Sequence, residues 1–236
     1  MLSCSCTLVL GFQAPAKTMT FDAPAPALFD RALVPGGHLL DMDLPLGPEM
    51  PPVPLLRRRW LEYGDNPLGR KYIGYVCDVV KPAIDAKFRT LPSPEHTSAM
   101  GSSMGGLCAF LSAWRRPDVF AHAACLSPVF QLPLITEVAL RRRLRPDARL
   151  YIDNGGDTDS RKVPLIELAD GFDPVWQLGA WYLDTSLQPG VDGMCAALRT
   201  QGVPFKYHRE AGGRHNARAW GGRVERPLRT LLPPDS

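Results

Sequence analysis

A chain of 236 residues with a formal net charge of +3 is long enough for one domain with a substantial core, and it is too weakly charged to favour a nucleic-acid partner. Hydrophobic residues make up 45% of the chain, yet no stretch reaches the length of a membrane-spanning helix, so the sequence predicts a globular protein without a membrane span. The N-terminal residues do not predict a secretory signal, so a cytoplasmic location is expected. An organelle transit peptide is the alternative, because the first 20 residues contain no acidic side chain.

Residues 1–50 predict a loop-rich N-terminal part of the domain, because proline and glycine interrupt them repeatedly. Residues 7–12 are the best strand candidate there. From residue 51 to residue 236, short apolar runs alternate with amphipathic segments. The predicted strands are 97–100, 121–126, 149–154 and 205–210. The predicted helices are 71–88, with a kink or restart at Pro82, then 104–116, 134–144, 189–199 and a broken final helix over 216–232. This alternation predicts an α/β fold whose mainly parallel sheet is covered by helices on both faces.

Residues 162–181 interrupt the alternation and contain two tryptophans, Trp176 and Trp181. A long irregular insertion at the edge of a sheet is usually functional or disordered. We therefore predict a lid or pocket wall, with Trp176 and Trp181 as substrate-binding residues.

The segment Gly101–Gly106 carries the strongest chemical signal, because it fits the pattern G-x-S-x-G with Ser103 at its centre. It lies between a predicted strand and a predicted helix, which is the context of a nucleophile on a tight turn. Glycines at both flanking positions relieve crowding in such a turn. The first N–H of the following helix, at Met104, would then stabilise an oxyanion. The alternative is a glycine-rich turn that matches the pattern by chance.

A serine hydroxyl needs a base, and in this motif's usual context the base is a histidine late in the chain. Two of the five histidines lie late enough, His208 and His215. His208 lies inside the last predicted strand, whereas His215 follows that strand in a glycine-containing loop. The sequence therefore predicts His215 as the base, titrating near the ordinary value of about 6.5 and shifted by its acid partner.

The acid that would orient the base is expected after the strand that ends at Asn154. Four aspartates lie in or beyond that strand: Asp153, Asp157, Asp159 and Asp184. Asp157 and Asp159 are in the loop at the expected edge of the sheet. A loop aspartate is more commonly a cap, so the residues alone leave the choice open.

Together, several motifs make the chain resemble the esterase family of α/β-hydrolases that includes enterochelin esterases, feruloyl esterase domains and mycolyltransferase-like proteins. They are residues 59–63, 80–85, 101–107, 116–120, 126–128, 150–153 and 212–216. The resemblance spans roughly residues 50 to 233. It implies the α/β-hydrolase fold, with Ser103 as nucleophile and His215 as base. A Gly-Thr-x-Asp stretch in feruloyl esterases is similar to residues 156–159, which puts Asp159 at the acid position and leaves Asp157 second.

This chain departs from the family pattern near its N-terminus. Family members carry an Asp-Gly turn whose backbone supplies a second oxyanion donor, and the matching residues 21–30 contain no glycine. Residues 36–38 (Gly-Gly-His) fit a plain turn better than an oxyanion loop. The N-terminal strands are therefore expected to be reduced.

Three functions follow as expectations. The first is a serine carboxylester hydrolase acting on a small-molecule ester through an acyl-enzyme. The second is an acyltransferase with the same chemistry, and the third is a catalytically weak hydrolase-like binding protein. No cofactor or metal is expected, because the six cysteines show no metal-ligand spacing. The oligomeric state and the identity of the ester are left open by the sequence.

Overall fold

The computed structural model describes residues 6–7, 62–157, 162–166 and 174–232. The helices are α1 (Pro67–Tyr75), α2 (Lys81–Lys87), α3 (Met104–Arg115), α4 (Leu132–Leu140), α5 (Pro174–Ser186), α6 (Gln188–Thr200), α7 (Ala217–Gly221) and α8 (Glu225–Leu231). The strands are β1 (Cys6–Thr7), β2 (Ser98–Ser102), β3 (His122–Leu126), β4 (Leu150–Asn154) and β5 (Lys206–Arg209).

The five strands form one sheet in the order β1-β2-β3-β4-β5. Strands β2 to β5 run parallel, and β1 pairs antiparallel with β2. The predicted strand 7–12 overlaps β1 at Thr7, and its other residues lie outside the described part of the chain. Because parallel strands end at the same edge, the loops after β2, β4 and β5 come together there.

Alternate residues of the central strands feed two separate cores. Ala123, Cys125, Leu150 and Ile152 pack with α1, α3, α4 and α6 on one face of the sheet. On the other face, Ala124, Leu126 and Tyr151 pack with Trp220 of α7 and Leu231 of α8. The period of two in β-strands produces this division. The predicted mainly parallel sheet with helices on both faces is confirmed.

The first helical segment begins four residues earlier than predicted and changes its hydrogen-bonding pattern before Pro82. The Asn66 side chain accepts hydrogen bonds from the backbone N–H groups of Leu68 and Gly69, which caps α1. A π-helical turn, Val76–Val80, then leads into α2, whose second residue is Pro82. Proline has no N–H for an i→i−4 bond, so the restart predicted at this position has a plain physical cause.

Two sequence expectations differ from the structure. The fourth helix ends at Leu140 rather than at residue 144, so the arginine run 141–143 follows the helix instead of extending it. Arg143 contacts Glu137 at 3.4 Å, on a solvated face. The predicted insertion contains part of a helix, since α5 begins at Pro174. Among the described helices, none is long and apolar enough to cross a bilayer.

Candidate active site

Ser103 lies on a sharp turn between β2 and α3, in a backbone conformation that non-glycine residues rarely adopt. Its φ is 57° and its ψ is −125°. The turn is tight enough that a Cβ on Gly101 would collide with the backbone oxygen of Gly105. The backbone N–H of Ser103 donates to Leu126 O at 2.8 Å, which ties the turn to β3. The surrounding sheet therefore holds a strained serine in place, as expected for a functional site.

The imidazole of His215 reaches this serine from the loop after β5. Its Nε2 lies 2.8 Å from Ser103 Oγ, although the two residues are 112 positions apart in sequence. Both side chains are buried, with Ser103 8% exposed and His215 3% exposed. The structure thus brings together the two residues that the motif and the loop position indicated. His208, the alternative base, contacts Glu210 at 2.8 Å instead.

Burial, followed by the positive charge of Arg223, lowers the pKa of His215 to about 3. Both causes disfavour the imidazolium form. The ring is therefore neutral at ordinary pH, so Nε2 can accept the serine proton. This differs from the sequence expectation of a pKa near 6.5, because the sequence does not show how completely the ring is buried.

The backbone N–H of Met104, the predicted oxyanion donor, lies at the start of the helix that follows Ser103. Met104 is the first residue of α3, and the first N–H groups of a helix have no intrahelical partner. The positive end of the helix dipole adds to this field. The residues considered for a second oxyanion donor, 21–30 and 36–38, lie outside the described residues.

The loop after β4 and the loop that carries His215 are joined by backbone hydrogen bonds. Gly156 N donates to Gly213 O at 2.6 Å, and Gly212 N donates to Gly156 O at 3.0 Å. Gly156 has a φ of 101°, and a Cβ there would collide with the backbone oxygen of Asp184. Three segments therefore meet at Gly156: the loop after β4 that carries the candidate acids, the loop that carries His215, and the end of α5.

The candidate acids occupy different places around this junction. Asp157 accepts a hydrogen bond from the backbone N–H of Val163 through its carboxylate. Asp184, on α5, accepts the backbone N–H of His215 and pairs with Arg214 at 3.3 Å. Asp153 forms an ion pair with Arg223. Asp159 lies outside the described residues, so its assignment remains a prediction from the resemblance.

The insertion contacts the site through its backbone. Arg214 donates to the carbonyl oxygen of Pro164, and Val163 is bound to Asp157. Trp181 is half-buried on α5, one helical turn before Asp184. The side chain of Trp176 lies outside the described part. The insertion therefore lies beside the loop after β4 and the loop that carries His215. This position is consistent with the predicted pocket wall.

A buried polar cluster behind His215 was not found by sequence reasoning. Arg223 Nε lies 3.0 Å from Asp153 Oδ2, and their side chains are 2% and 0% exposed. Ser127, which has a φ of 43°, accepts hydrogen bonds from Arg223 and Trp220. The Trp220 ring packs edge-on against the imidazole, 4.9 Å between centroids. An aspartate within a predicted buried strand indicates that Asp153 has a charged partner. The sequence does not identify Arg223 as that partner, because it lies 70 residues away.

Within the described ranges, no group of three or more His, Cys, Asp or Glu side chains is arranged to hold a metal ion.

A family model described as "Putative esterase" matches residues 52–170. No curated protein sequence matches the chain significantly. Among solved structures, a ferulic acid esterase is 20% identical with a TM-score of 0.52, over 71% of this chain and 63% of its own.

Two further solved structures share the fold. Enterochelin esterase from Shigella flexneri is 16% identical with a TM-score of 0.57, over 75% of this chain and 40% of its own. The siderophore hydrolase EstB from Aspergillus nidulans is 16% identical with a TM-score of 0.53, over 75% of this chain and 66% of its own. This chain therefore spans less than two thirds of the length of each structure, and at these identities the likeness shows the α/β-hydrolase fold.

Proposed function

This chain belongs to that esterase family, and from this premise we propose that it cleaves carboxylic esters through an acyl-enzyme on Ser103, with His215 as general base. One observation carries the proposal: Ser103 Oγ lies 2.8 Å from His215 Nε2 on a strained turn at the start of a helix. A nucleophile within hydrogen-bond reach of a base is the arrangement that acyl transfer requires.

In the proposed reaction, His215 Nε2 takes the hydroxyl proton while Ser103 Oγ attacks the ester carbonyl carbon. The carbonyl oxygen becomes an oxyanion near the Met104 N–H. The imidazolium then gives its proton to the leaving alcohol oxygen as the ester C–O bond breaks. Water repeats the sequence on the acyl-enzyme, which releases the acid and restores the serine.

The buried imidazolium formed in each step needs a counter-charge. Its pKa is lowered in these surroundings, so a carboxylate near its second ring nitrogen would raise its basicity and fix its tautomer. We assign this role to Asp159 by resemblance, with Asp157 as the second candidate.

The substrate we propose is a small-molecule ester with an apolar or aromatic part, because Trp176 and Trp181 lie on α5, the helix whose Asp184 contacts the backbone of His215. An acyltransferase would use the same acyl-enzyme, with an alcohol in place of water. Product analysis with an added alcohol distinguishes the two, since a transferase forms the new ester in preference to the free acid.

The test replaces the nucleophile. We expect Ser103→Ala to lower kcat for short p-nitrophenyl esters by at least about 10³-fold, because no other hydroxyl takes its position. Ser102→Ala, the matched control, alters the neighbouring serine of β2 and is expected to retain most of the activity. Thermal melts verify that both variants fold. Wild-type turnover by Ser103→Ala would refute the assignment.

A further inference from the structure

Behind the imidazole lies a set of fully buried polar contacts that the proposed reaction does not use directly. Arg223, in the turn between α7 and α8, donates to both carboxylate oxygens of Asp153, at 3.0 and 3.2 Å. The same guanidinium donates to Ser127 Oγ at 2.9 Å. Trp220 Nε1 donates to that oxygen at 3.2 Å. Arg223 and Trp220 therefore share Ser127 Oγ as an acceptor, and Asp153 fixes the position of the Arg223 guanidinium.

The carboxylate of Asp153 accepts two further hydrogen bonds. Its Oδ1 accepts the backbone N–H of Ser127 at 3.1 Å, and its Oδ2 accepts the hydroxyl of Tyr151 at 3.1 Å. An ion pair this deeply buried is weak evidence for stability, because desolvating two charges offsets their attraction. The ion pair belongs to the cluster behind the candidate base, so a role in positioning that base explains it better than a role in stability.

The imidazole is in direct contact with this cluster. The Trp220 ring lies edge-on to His215 with 4.9 Å between centroids, and Trp220 is 6% exposed. Because the indole is bound through Nε1, it cannot turn away without breaking its bond to Ser127. An indole fixed in this way limits how the imidazole can rotate.

We propose that Arg223 and Trp220 are positioning residues for His215: the Arg223–Asp153 pair, through Ser127, fixes the indole against the imidazole and keeps a buried positive charge close to the ring. This inference rests on the proposed function, because it assigns the cluster a role in setting the geometry and charge of the base. A guanidinium suits the role because its planar fork contacts Asp153 and Ser127 together, which the single ammonium of lysine cannot do.

Other polar and charged groups also surround the base. Asp184 of α5 accepts the backbone N–H of His215, and Arg214 pairs with Asp184. Tyr151 and Asp153 of β4 belong to the cluster itself. Among these groups, Arg223 is the one whose charge lowers the pKa of His215.

The test uses three variants of the full chain. Arg223→Lys keeps the charge and removes the fork. Arg223→Met combined with Asp153→Asn removes both charges without leaving one of them buried alone. Arg226→Met is the matched control, because Arg226 is an exposed arginine on α8 that pairs with Glu210.

Kinetics are measured per active site, after titration with a fluorophosphonate. We expect Arg223→Lys to lower kcat about 10- to 100-fold with little change in KM, because a small displacement of the base slows the chemical step more than binding. We expect Arg226→Met to match the wild type.

A second readout needs no activity: the pKa of the His215 imidazole, followed by NMR and assigned with His215→Gln. We expect the pKa to stay near the wild-type value in Arg223→Lys and to rise in the double variant, since the cation whose charge lowers it is gone. Wild-type kcat per site in Arg223→Lys, an unchanged pKa in the double variant, or an Arg223→Lys protein that does not fold would each overturn the proposal.

These outcomes separate the two proposals. If Ser103→Ala hydrolyses esters as fast as the wild type, the proposed function fails, whatever the imidazole titration shows. If Ser103→Ala is inactive while Arg223→Lys behaves as the wild type, the positioning role fails and the nucleophile assignment stands.

Discussion

Single residues determine the pH response of the site, and His215 is the first of them. Its pKa is lowered to about 3, so the ring is neutral and able to accept a proton above that pH. A histidine with a lowered pKa loses its neutral form only as the pH falls through that pKa. We therefore expect the acid limb of kcat/KM to lie below the ordinary histidine value of about 6.5.

The measurement is kcat/KM for a p-nitrophenyl ester from about pH 4 to pH 8, with stability checked at each pH. His208→Gln is the control, because His208 contacts Glu210 and not Ser103. An acid limb at or above about 6.5 that persists in His208→Gln would show that a carboxylate raises the basicity of His215 more than burial lowers it.

The choice of acid is a second test at this scale. We expect Asp159→Asn to lower kcat by up to about 10⁴-fold, because the imidazolium loses its counter-charge and its fixed tautomer. Asp157→Asn is expected to be milder, since that carboxylate binds the backbone of Val163. Steady-state kinetics of the two variants decide between them, and a larger loss in Asp157→Asn would reverse the assignment.

Asp184→Asn is expected to act on stability instead of catalysis. Its carboxylate pairs with Arg214, whose side chain is 9% exposed, so the substitution leaves a buried cation without its counter-charge. Losing one partner of a buried pair typically costs on the order of 3 kcal/mol. Urea unfolding measures this cost. A folded Asp184→Asn protein with a kcat lowered as far as in Ser103→Ala would make Asp184 the acid.

At the residue scale, the sequence was sufficient to predict that Ser103 and His215 lie together, because a strand–turn–helix motif and a late histidine loop are both local signals. It was insufficient for Arg223 and Asp153, which meet only through the packing of α7 and α8 on the sheet. Neither residue belongs to a local sequence pattern. Because the chain contains many acidic and basic residues, the sequence does not show which aspartate pairs with Arg223.

At the scale of elements, the turn between β2 and α3 depends on a residue without a side chain. We expect Gly101→Ala to destabilise the fold by about 3 kcal/mol or more, because its Cβ would meet the backbone of Gly105, which cannot move aside. Gly179→Ala is the matched control: Gly179 lies on α5 with open space around it, and alanine there should stabilise by about 0.5–1 kcal/mol. Chemical denaturation of both variants measures the two changes, and equal stabilities would contradict the packing described for the turn.

Helix α5 provides a prediction about specificity. Trp181 lies on this helix, one turn before Asp184, and Asp184 contacts the backbone of His215. We expect Trp181→Ala to change the ratio of kcat/KM between small and large esters, because a pocket wall discriminates by size. A series of acyl chain lengths measures this ratio, and a uniform loss across the series would indicate a packing role.

Element positions were predicted best where burial and periodicity agree. Strands β2, β3 and β4 are short, buried on both faces and bounded by turns, so their apolar runs located them to within two residues. Helix α5 was missed as a helix, because its aromatic residues and Gly179 obscure the helical pattern. The start of α1 was placed too late because the Asn66 cap and the following proline precede the apolar stripe.

At the scale of the whole molecule, four cysteines test the integrity of the sheet and of the helical layer on one of its faces. Cys77, Cys108, Cys125 and Cys195 are buried thiols. Burial raises the pKa of Cys77 to about 12 and that of Cys195 to about 11. A thiol reacts as its thiolate, so we expect iodoacetamide to spare all four in the native protein and to modify them after unfolding. Peptide mass spectrometry shows which cysteines react, and rapid native modification would contradict the described core.

The whole fold places the ends of β2, β4 and β5 at one edge, where we propose that Ser103 acts as the nucleophile. The most direct measurement is reaction of the native protein with a fluorophosphonate, followed by mapping of the adduct by mass spectrometry. We expect one phosphonylated residue, Ser103, and loss of that adduct in His215→Gln, because the hydroxyl then has no base. An unlabelled folded protein, or an adduct on another residue, would contradict it.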